Sequence, residues 1–267
     1  MSEAPGVLAL DFDGVLCDGR PEYFETARRA YAAVWPGVDV ARVGAVATSF
    51  TAARPLVESG WEMPLLVHAL VSGVSDADLV DRAAWRLTAR RLLEAAALDT
   101  GRLAHELNAA RDAWFAADPK DWLGHHAFYP GVCARVVQAL DAGVQITIVT
   151  TKAARFARAL LAAQHPRLAA VPIIGREPDR TVPKPDSLLR LLRDHGLPAD
   201  GAGLWFVEDM LETLERVRAT PGLGAARLFL AGWGYNTLEQ RATLSASRDI
   251  SLLSLADFAG PFRAWPR

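Results

Sequence analysis

Six short apolar runs spread along 267 residues constrain the fold of this chain more than any other feature. They fall at residues 6–12 (GVLALDF), 144–150 (VQITIVT), 171–174, 204–207 (LWFV), 227–231 and 250–253. Short, nearly continuous apolar runs are the mark of strands buried on both faces, which is how parallel sheets read. Between them lie stretches with helical periodicity, at 131–142, 153–164, 186–195 and 210–220. Strands alternating with helices of this length predict an α/β fold built on a doubly wound parallel sheet. The first strand is expected to end at Asp11.

One interval breaks the rhythm. Residues 18–127 hold no convincing β run but several amphipathic patterns, which predicts an all-helical unit there. A helix should start at Pro21, a favoured first-turn residue, and carry Tyr23, Ala27, Ala30, Tyr31 and Val34 on one face until Pro36 stops it. Further helices are expected over 64–72, 76–97 and 102–117, and Tyr129-Pro130-Gly131 marks the return to the sheet. No internal repeat and no low-complexity linker separates the parts, so the helical unit reads as an insertion. The expected division is a core of 1–17 with 128–267 and a helical domain of 18–127.

Composition narrows the function classes. The formal net charge is −2 and basic residues are scattered among acidic ones, which disfavours nucleic acid or anionic lipid as a partner. No stretch reaches the ~18 apolar residues of a membrane span, and the opening residues lack a basic leader segment, so a cytosolic location is expected. Cys17 and Cys133 are far apart with no paired spacing, which argues against a disulfide framework and a zinc site. Of 29 basic residues only Lys120, Lys152 and Lys184 are lysine. A chain that otherwise chooses arginine draws attention to each place where it keeps a compact ammonium.

Asp11 and Asp13 stand two apart at the end of the first run, so they leave the same side of the pleat and face one point beyond the sheet. Open α/β sheets bind ligands there. A carboxylate pair in that place can hold a hard cation through oxygen while one member attacks and the other handles protons. The same Asp-Gly step also ends many strands as a plain turn. Thr150 closes the second long run and could donate to a phosphate oxygen or cap a helix. Lys184 lies in Pro183-Lys184-Pro185-Asp186, ahead of a helix, and reads equally as an exposed loop lysine. Glu208 and Asp209 follow the LWFV run, where acids also suit a helix N-terminus.

Taken in order, acid pair, hydroxyl, lysine and acid pair match the four motifs of the haloacid dehalogenase superfamily, which this sequence resembles. The resemblance covers about 6–17 and 128–258 and rests on DFDGVLCD, TIVTTK, PKPD and FVEDMLET. The fourth motif departs from the common pattern, with Glu208 in place of a glycine and Thr213 in place of the last aspartate; an Glu-Asp version is similar to β-phosphoglucomutase-like members. Gly232-Trp233-Gly234-Tyr235-Asn236 resembles phosphoglycolate-phosphatase-like relatives and is expected to shape the sheet edge.

The resemblance implies a magnesium-dependent phosphohydrolase acting on a small phosphorylated metabolite. Asp11 would be the nucleophile and Asp13 the general acid and base. Thr150 and Lys184 would bind the phosphoryl oxygens. Asp11, the Asp13 carbonyl and Asp209 would hold Mg2+, with Glu208 as a further candidate. The helical insertion would be the family's substrate-selecting cap. In it the loop-like stretch 54–62 offers Arg54, Glu58, Trp61 and Glu62, each of which also suits an ordinary surface turn. His125 and His126 read as capping or solvated residues. Asp13 argues against dehalogenation, because a halide leaving group needs no proton. Lys120 is a poor match to a phosphonatase Schiff base. Two rivals stand: a sugar-phosphate mutase and a non-catalytic metabolite-binding module. Oligomeric state is open.

Overall fold

The computed structural model describes residues 4–37, 39–75, 78–177, 182–244 and 249–266. Contacts divide the chain into two compact units, one of 1–18 with 127–267 and one of 19–126. In the first unit β1 is Val7–Leu10, β2 Cys17–Asp18, β3 Ala127–Phe128, β4 Gln145–Ala153, β5 Ile173–Arg176, β6 Leu204–Glu208, β7 Arg227–Ala231 and β8 Ile250–Leu253. Six of these form one sheet in the order β5-β4-β1-β6-β7-β8, and every adjacent pair is parallel. The expected parallel α/β sheet is therefore present.

Counted in chain order, those six strands run 3-2-1-4-5-6 across the sheet. The winding reverses between β1 and β6, and such a switch point opens a crevice at the carboxyl ends of the strands. Register sets what stands there. Leu10 pairs with Val207 on β6 and with Ile148 on β4. Asp11 is therefore level with Glu208 on one side and one step short of Thr150 on the other.

Both faces of the sheet are covered. Val7, Ala9, Leu204 and Phe206 join the helices Lys184–Asp194 and Leu211–Arg218 in one core through Leu188, Leu191, Leu214 and Val217. On the other face Trp205 packs its ring against Phe229, Phe262 and Trp265. A separate antiparallel ladder pairs β2 with β3.

The unit of 19–126 is helical in all its regular elements among the described residues. Its long helix Arg20–Val34 packs on Glu62–Val71 and Thr100–Ala117. The expected apolar face, Tyr23, Ala27, Ala30, Tyr31 and Val34, is buried. Glu22 on the same helix is fully buried and accepts from Thr26 Oγ1, from Arg111 Nε at 2.7 Å and from Trp122 Nε1 at 3.3 Å. Three donors from three parts of the unit thus satisfy one buried charge.

Several boundaries differ from expectation. The strand expected to end at Thr150 continues to Ala153, because Thr147 to Thr151 are all β-branched and suit a pleated surface. The strand expected at 171–174 is displaced to Ile173–Arg176, Pro172 lying just outside it. Of the helix expected over 76–97, residues 76 and 77 lie outside the described residues, and the observed helix is Arg82–Ala96. It starts there because the Asp81 carboxylate accepts from Ala84 N at 2.8 Å as its N-cap. Short helices at Val40–Ala45, Ala47–Ala53 and Pro119–Gly124 were not expected. Among the described residues no helix is long and apolar enough to cross a membrane.

Removing one partner of a buried ion pair strands the other charge. Arg111→Ala removes a buried cation from Glu22 and is expected to destabilise the protein by about 3–5 kcal/mol, read as a lowered urea midpoint in tryptophan fluorescence. An unchanged midpoint would show that the pair contributes nothing net.

Candidate active site

Asp11 follows the last residue of β1, where its amide donates to Val207 O at 2.9 Å and ties it to β6. Its side chain is only 5 % exposed. Glu208 ends β6 fully buried, and Asp209 follows it almost as deep. One oxygen from each of Asp11, Glu208 and Asp209 lies within 4.8 Å of the other two. Three carboxylates this close cannot all stay ionised in a dry site without cations.

Lys184 supplies one cation. It is the first residue of the helix Lys184–Asp194, and its Nζ lies 2.9 Å from Asp11 Oδ1 and 2.5 Å from Glu208 Oε2. The contact to Glu208 is a hydrogen bond, whereas the one to Asp11 is a close charge contact that leaves Asp11 Oδ1 buried without a hydrogen-bond donor. Burial first, then the Glu208 charge, pushes the Asp11 carboxyl up to about 7, against the opposing pull of Lys184. Burial and the neighbouring Asp209 likewise push Glu208 up to about 7, again opposed by Lys184. Burial opposes the Lys184 charge, but its two carboxylate partners hold the ammonium above the ordinary lysine range.

The donor set fits a hard divalent cation. It is all oxygen, it carries more negative charge than Lys184 cancels, and Asp11 Oδ1 is a buried acceptor without a donor. The three acids are not equally open. Glu208 Oε1 already accepts from the amides of Asp209 at 3.2 Å and Met210 at 3.1 Å, while Oε2 takes Lys184. Asp209 Oδ2 accepts from Tyr235 N at 2.7 Å.

Asp13 occupies a different position. Its carboxylate takes both oxygens to Lys152 Nζ, at 3.1 and 3.4 Å. Lys152 sits near the end of β4 and donates its amide to Thr150 Oγ1 at 3.1 Å. Thr150 is buried on the strand beside β1. Asp11, Glu208, Asp209 and Lys184 thus form one cluster, and Asp13, Lys152 and Thr150 a second linked set.

Arg54, Glu58 and Trp61 belong to the helical unit. Arg54 is buried, donates to Val57 O at 2.8 Å and lies 5.1 Å from the Tyr23 ring centroid. Glu58 takes Arg86 at 2.6 Å. Trp61 is the half-buried N-cap of the helix Glu62–Val71. The stretch expected to be a loop is thus partly helical, with a 3-10 turn at Arg54–Leu56. Glu62 accepts from Trp85 Nε1 at 2.8 Å and Ser59 N at 3.0 Å. His125 and His126 bring Nδ1 to the carbonyls of Asp121 and Trp122 at the end of the helix Pro119–Gly124.

Two contributors escaped the sequence reading. Lys152 had its signal in the scarcity of lysine. The segment from Gly232 to Asn236 does more than shape the edge: besides the Tyr235 amide, Asn236 Nδ2 donates to Asp209 O at 2.9 Å and Trp233 Nε1 to Val15 O at 3.0 Å. Gly234 lies so close to Asp209 that a Cβ there would meet its side chain and would stand 2.5 Å from Gly14 O. Gly14, with φ of 82°, leaves the same room from the other side.

A family model described as haloacid dehalogenase-like hydrolase matches residues 6–214. The chain belongs to that family. Comparison with curated proteins gives no match. Solved structures carry the same fold at low identity. A predicted phosphatase from Clostridium acetobutylicum is 12 % identical with a TM-score of 0.60, over 93 % of this chain and 94 % of the other. A haloacid dehalogenase-like family hydrolase from Streptococcus pneumoniae is 13 % identical with a TM-score of 0.58, over 94 % and 95 %. A predicted phosphoglycolate phosphatase from Haemophilus somnus is 14 % identical with a TM-score of 0.57, over 97 % and 96 %. In this chain Asp11, Glu208 and Asp209 stand together, buried, at the switch point described above.

Gly234→Ala forces a methyl group between Asp209 and Gly14, and overpacking of this kind typically costs about 1–3 kcal/mol. The variant is expected to melt at a lower temperature than the wild type in calorimetry. Equal melting would mean that this contact relaxes freely.

Proposed function

We propose that this haloacid dehalogenase-like hydrolase is a magnesium-dependent phosphatase of small phosphorylated metabolites, with Asp11 as the nucleophile. The observation that carries the reading is the placement of Asp11: buried, level with Glu208 at the sheet's switch point, and beside Lys184 with one oxygen lacking a hydrogen-bond donor. Asp11 shares the Lys184 ammonium with Glu208, so that contact leaves acceptor capacity on its carboxylate for other chemistry.

Asp11, the Asp13 carbonyl and Asp209 would hold Mg2+, with Glu208 close by. When bound, the ion neutralises charge between the nucleophile and the phosphate and favours the ionised acids. The remaining work belongs to the chain. Asp11 attacks phosphorus and forms an aspartyl-phosphate while Asp13 gives its proton to the departing oxygen. Asp13 then takes a proton from the water that hydrolyses the intermediate, because an acid in one half-reaction serves as base in the next. Lys184 and Thr150 bind the phosphoryl oxygens. Losing such a donor typically costs about 10²–10³ in kcat. Arg54, Glu58 and Trp61 are proposed to bear on substrate choice, and the cytosol is the proposed location.

A mutase would share every one of these residues, and the Glu208-Asp209 pair is the feature that favours it. Hydrolysis is preferred because all groups for transfer to water are present and structures of this fold include a protein named as a predicted phosphoglycolate phosphatase. Release of inorganic phosphate without a bisphosphate activator separates the two.

Asp11→Asn is expected to abolish phosphate release across a panel of sugar phosphates, phosphoglycolate and nucleotides while the circular dichroism spectrum stays that of the wild type. Activity equal to the wild type in that variant contradicts the nucleophile assignment. Chelation by EDTA is expected to stop turnover and added Mg2+ to restore it. Turnover indifferent to EDTA would remove the metal from the reading.

A further inference from the structure

Lys152 has no part in the scheme above, yet it is buried, scarce in type and bonded to the one acid that must move protons. Its ammonium reaches both oxygens of Asp13, at 3.1 and 3.4 Å. It is the one hydrogen-bond donor to that carboxylate among the described residues. The Asp13 backbone is fixed independently. Phe12 O accepts from Leu16 N at 2.9 Å and Cys17 N at 3.1 Å, Gly14 N donates to Cys17 O at 2.8 Å, and Asp13 itself bridges to Cys17. What the turn leaves undetermined is the side-chain torsion and the plane of the carboxyl group, and a donor shared between both oxygens determines them.

The end of β4 is built to aim that donor. The strand reaches Lys152 with a shift of register against β5 between Val149 and Ala153, and the Lys152 amide is anchored on Thr150 Oγ1. The lysine stem therefore starts from a sheet strand adjacent to β1 rather than from a loop, and its ammonium end is desolvated. The two site lysines divide the acids between them: Lys184 serves Asp11 and Glu208, Lys152 serves Asp13.

We propose that Lys152 is a positioning residue that holds the Asp13 carboxyl group in the plane and direction from which it transfers a proton to the leaving oxygen. The inference rests on the phosphatase reading and adds to it. In the step concerned, an Asp11 oxygen forms its bond to phosphorus and the ester P–O bond breaks with its electron pair on the departing oxygen. The proton of the Asp13 carboxyl group goes to that oxygen. Water later returns a proton to Asp13 as its oxygen joins phosphorus and the acyl phosphate breaks, so ester and water become alcohol and phosphate. A carboxyl group engaged by one ammonium keeps further lone-pair positions for that proton. Positional errors of an ångström in such a group are costly to rate.

The test compares two esters of one shape. Phenyl phosphate expels phenol, whose pKa of about 10 matches tyrosine, and depends on protonation of the leaving oxygen; p-nitrophenyl phosphate expels a far more acidic phenol and depends on it little. Lys152→Met is expected to lose at least ~10-fold more kcat on phenyl phosphate than on p-nitrophenyl phosphate, part of the ~10²–10⁴ that a positioned acid contributes, with KM little changed on both. In an Asp13→Asn background the same substitution should add no further difference between the esters, since the group it positions is gone. Melting curves check that the variants fold, and Lys152→Gln, which keeps a donor without the charge, serves in place of a methionine variant that does not. Equal losses on the two esters, or losses that add to those of Asp13→Asn, overturn the inference while leaving the nucleophile in place. A wild type that hydrolyses neither ester overturns the phosphatase reading and this inference with it.

Discussion

Crowding of like charge at the reversal of a parallel sheet is the constraint on which the rest of this molecule depends. The pairing of β1 with β6 makes Asp11 level with Glu208, and Asp209 follows directly. Burial raises the cost of each charge, and their mutual repulsion raises it further. Neighbouring features read as responses to that cost. Lys184 enters from a helix start to touch two of the acids, the Glu208 carboxylate folds back onto two amides, and the Tyr235 amide takes one oxygen of Asp209. Asp11 Oδ1 lies 2.9 Å from Lys184 Nζ and receives no hydrogen bond, which leaves it an acceptor within this crowd.

The glycines follow from the same crowding. With Asp209 wedged between the turn after β1 and the segment after β7, a methyl group at Gly14 or Gly234 has nowhere to go. Packing at this density is what makes such a site hold its geometry, because interiors transmit strain rather than absorb it. The helical unit uses another version of the device. There one buried acid, Glu22, is satisfied by Thr26, Arg111 and Trp122, which joins the first helix of the unit to its last two.

How much of this was legible in the sequence depends on the range of the interaction that decides each feature. The sheet was legible because each buried strand needs a local apolar run, and the site acids because strand ends in a parallel sheet converge. Thr150 was legible as a site candidate, but its strand was cut short. A hydroxyl, a second hydroxyl and a lysine look like a loop, although threonine favours strands and the run continues to Ala153. Lys152 carries only its rarity as a local signal, because its partner Asp13 lies 139 residues away in the chain. Lys120 shared the rarity and is simply exposed, so scarcity alone could not separate them. Two-residue strands such as Cys17–Asp18 and Ala127–Phe128 are too short to show any period. The hold of Gly234 and Tyr235 on Asp209 joins residues some 26 apart and leaves no local trace.

The most direct measurement is chemical capture of the phosphorylated chain. Mixing the protein with Mg2+ and a turned-over phosphate ester, quenching in acid within one turnover and reading peptide masses should show one phosphoryl group on the peptide that contains Asp11. Borohydride reduction of the acyl phosphate should then convert Asp11, and no other aspartate, to homoserine. Steady turnover with no captured phosphoryl group, or capture on another residue, would contradict Asp11 as the nucleophile.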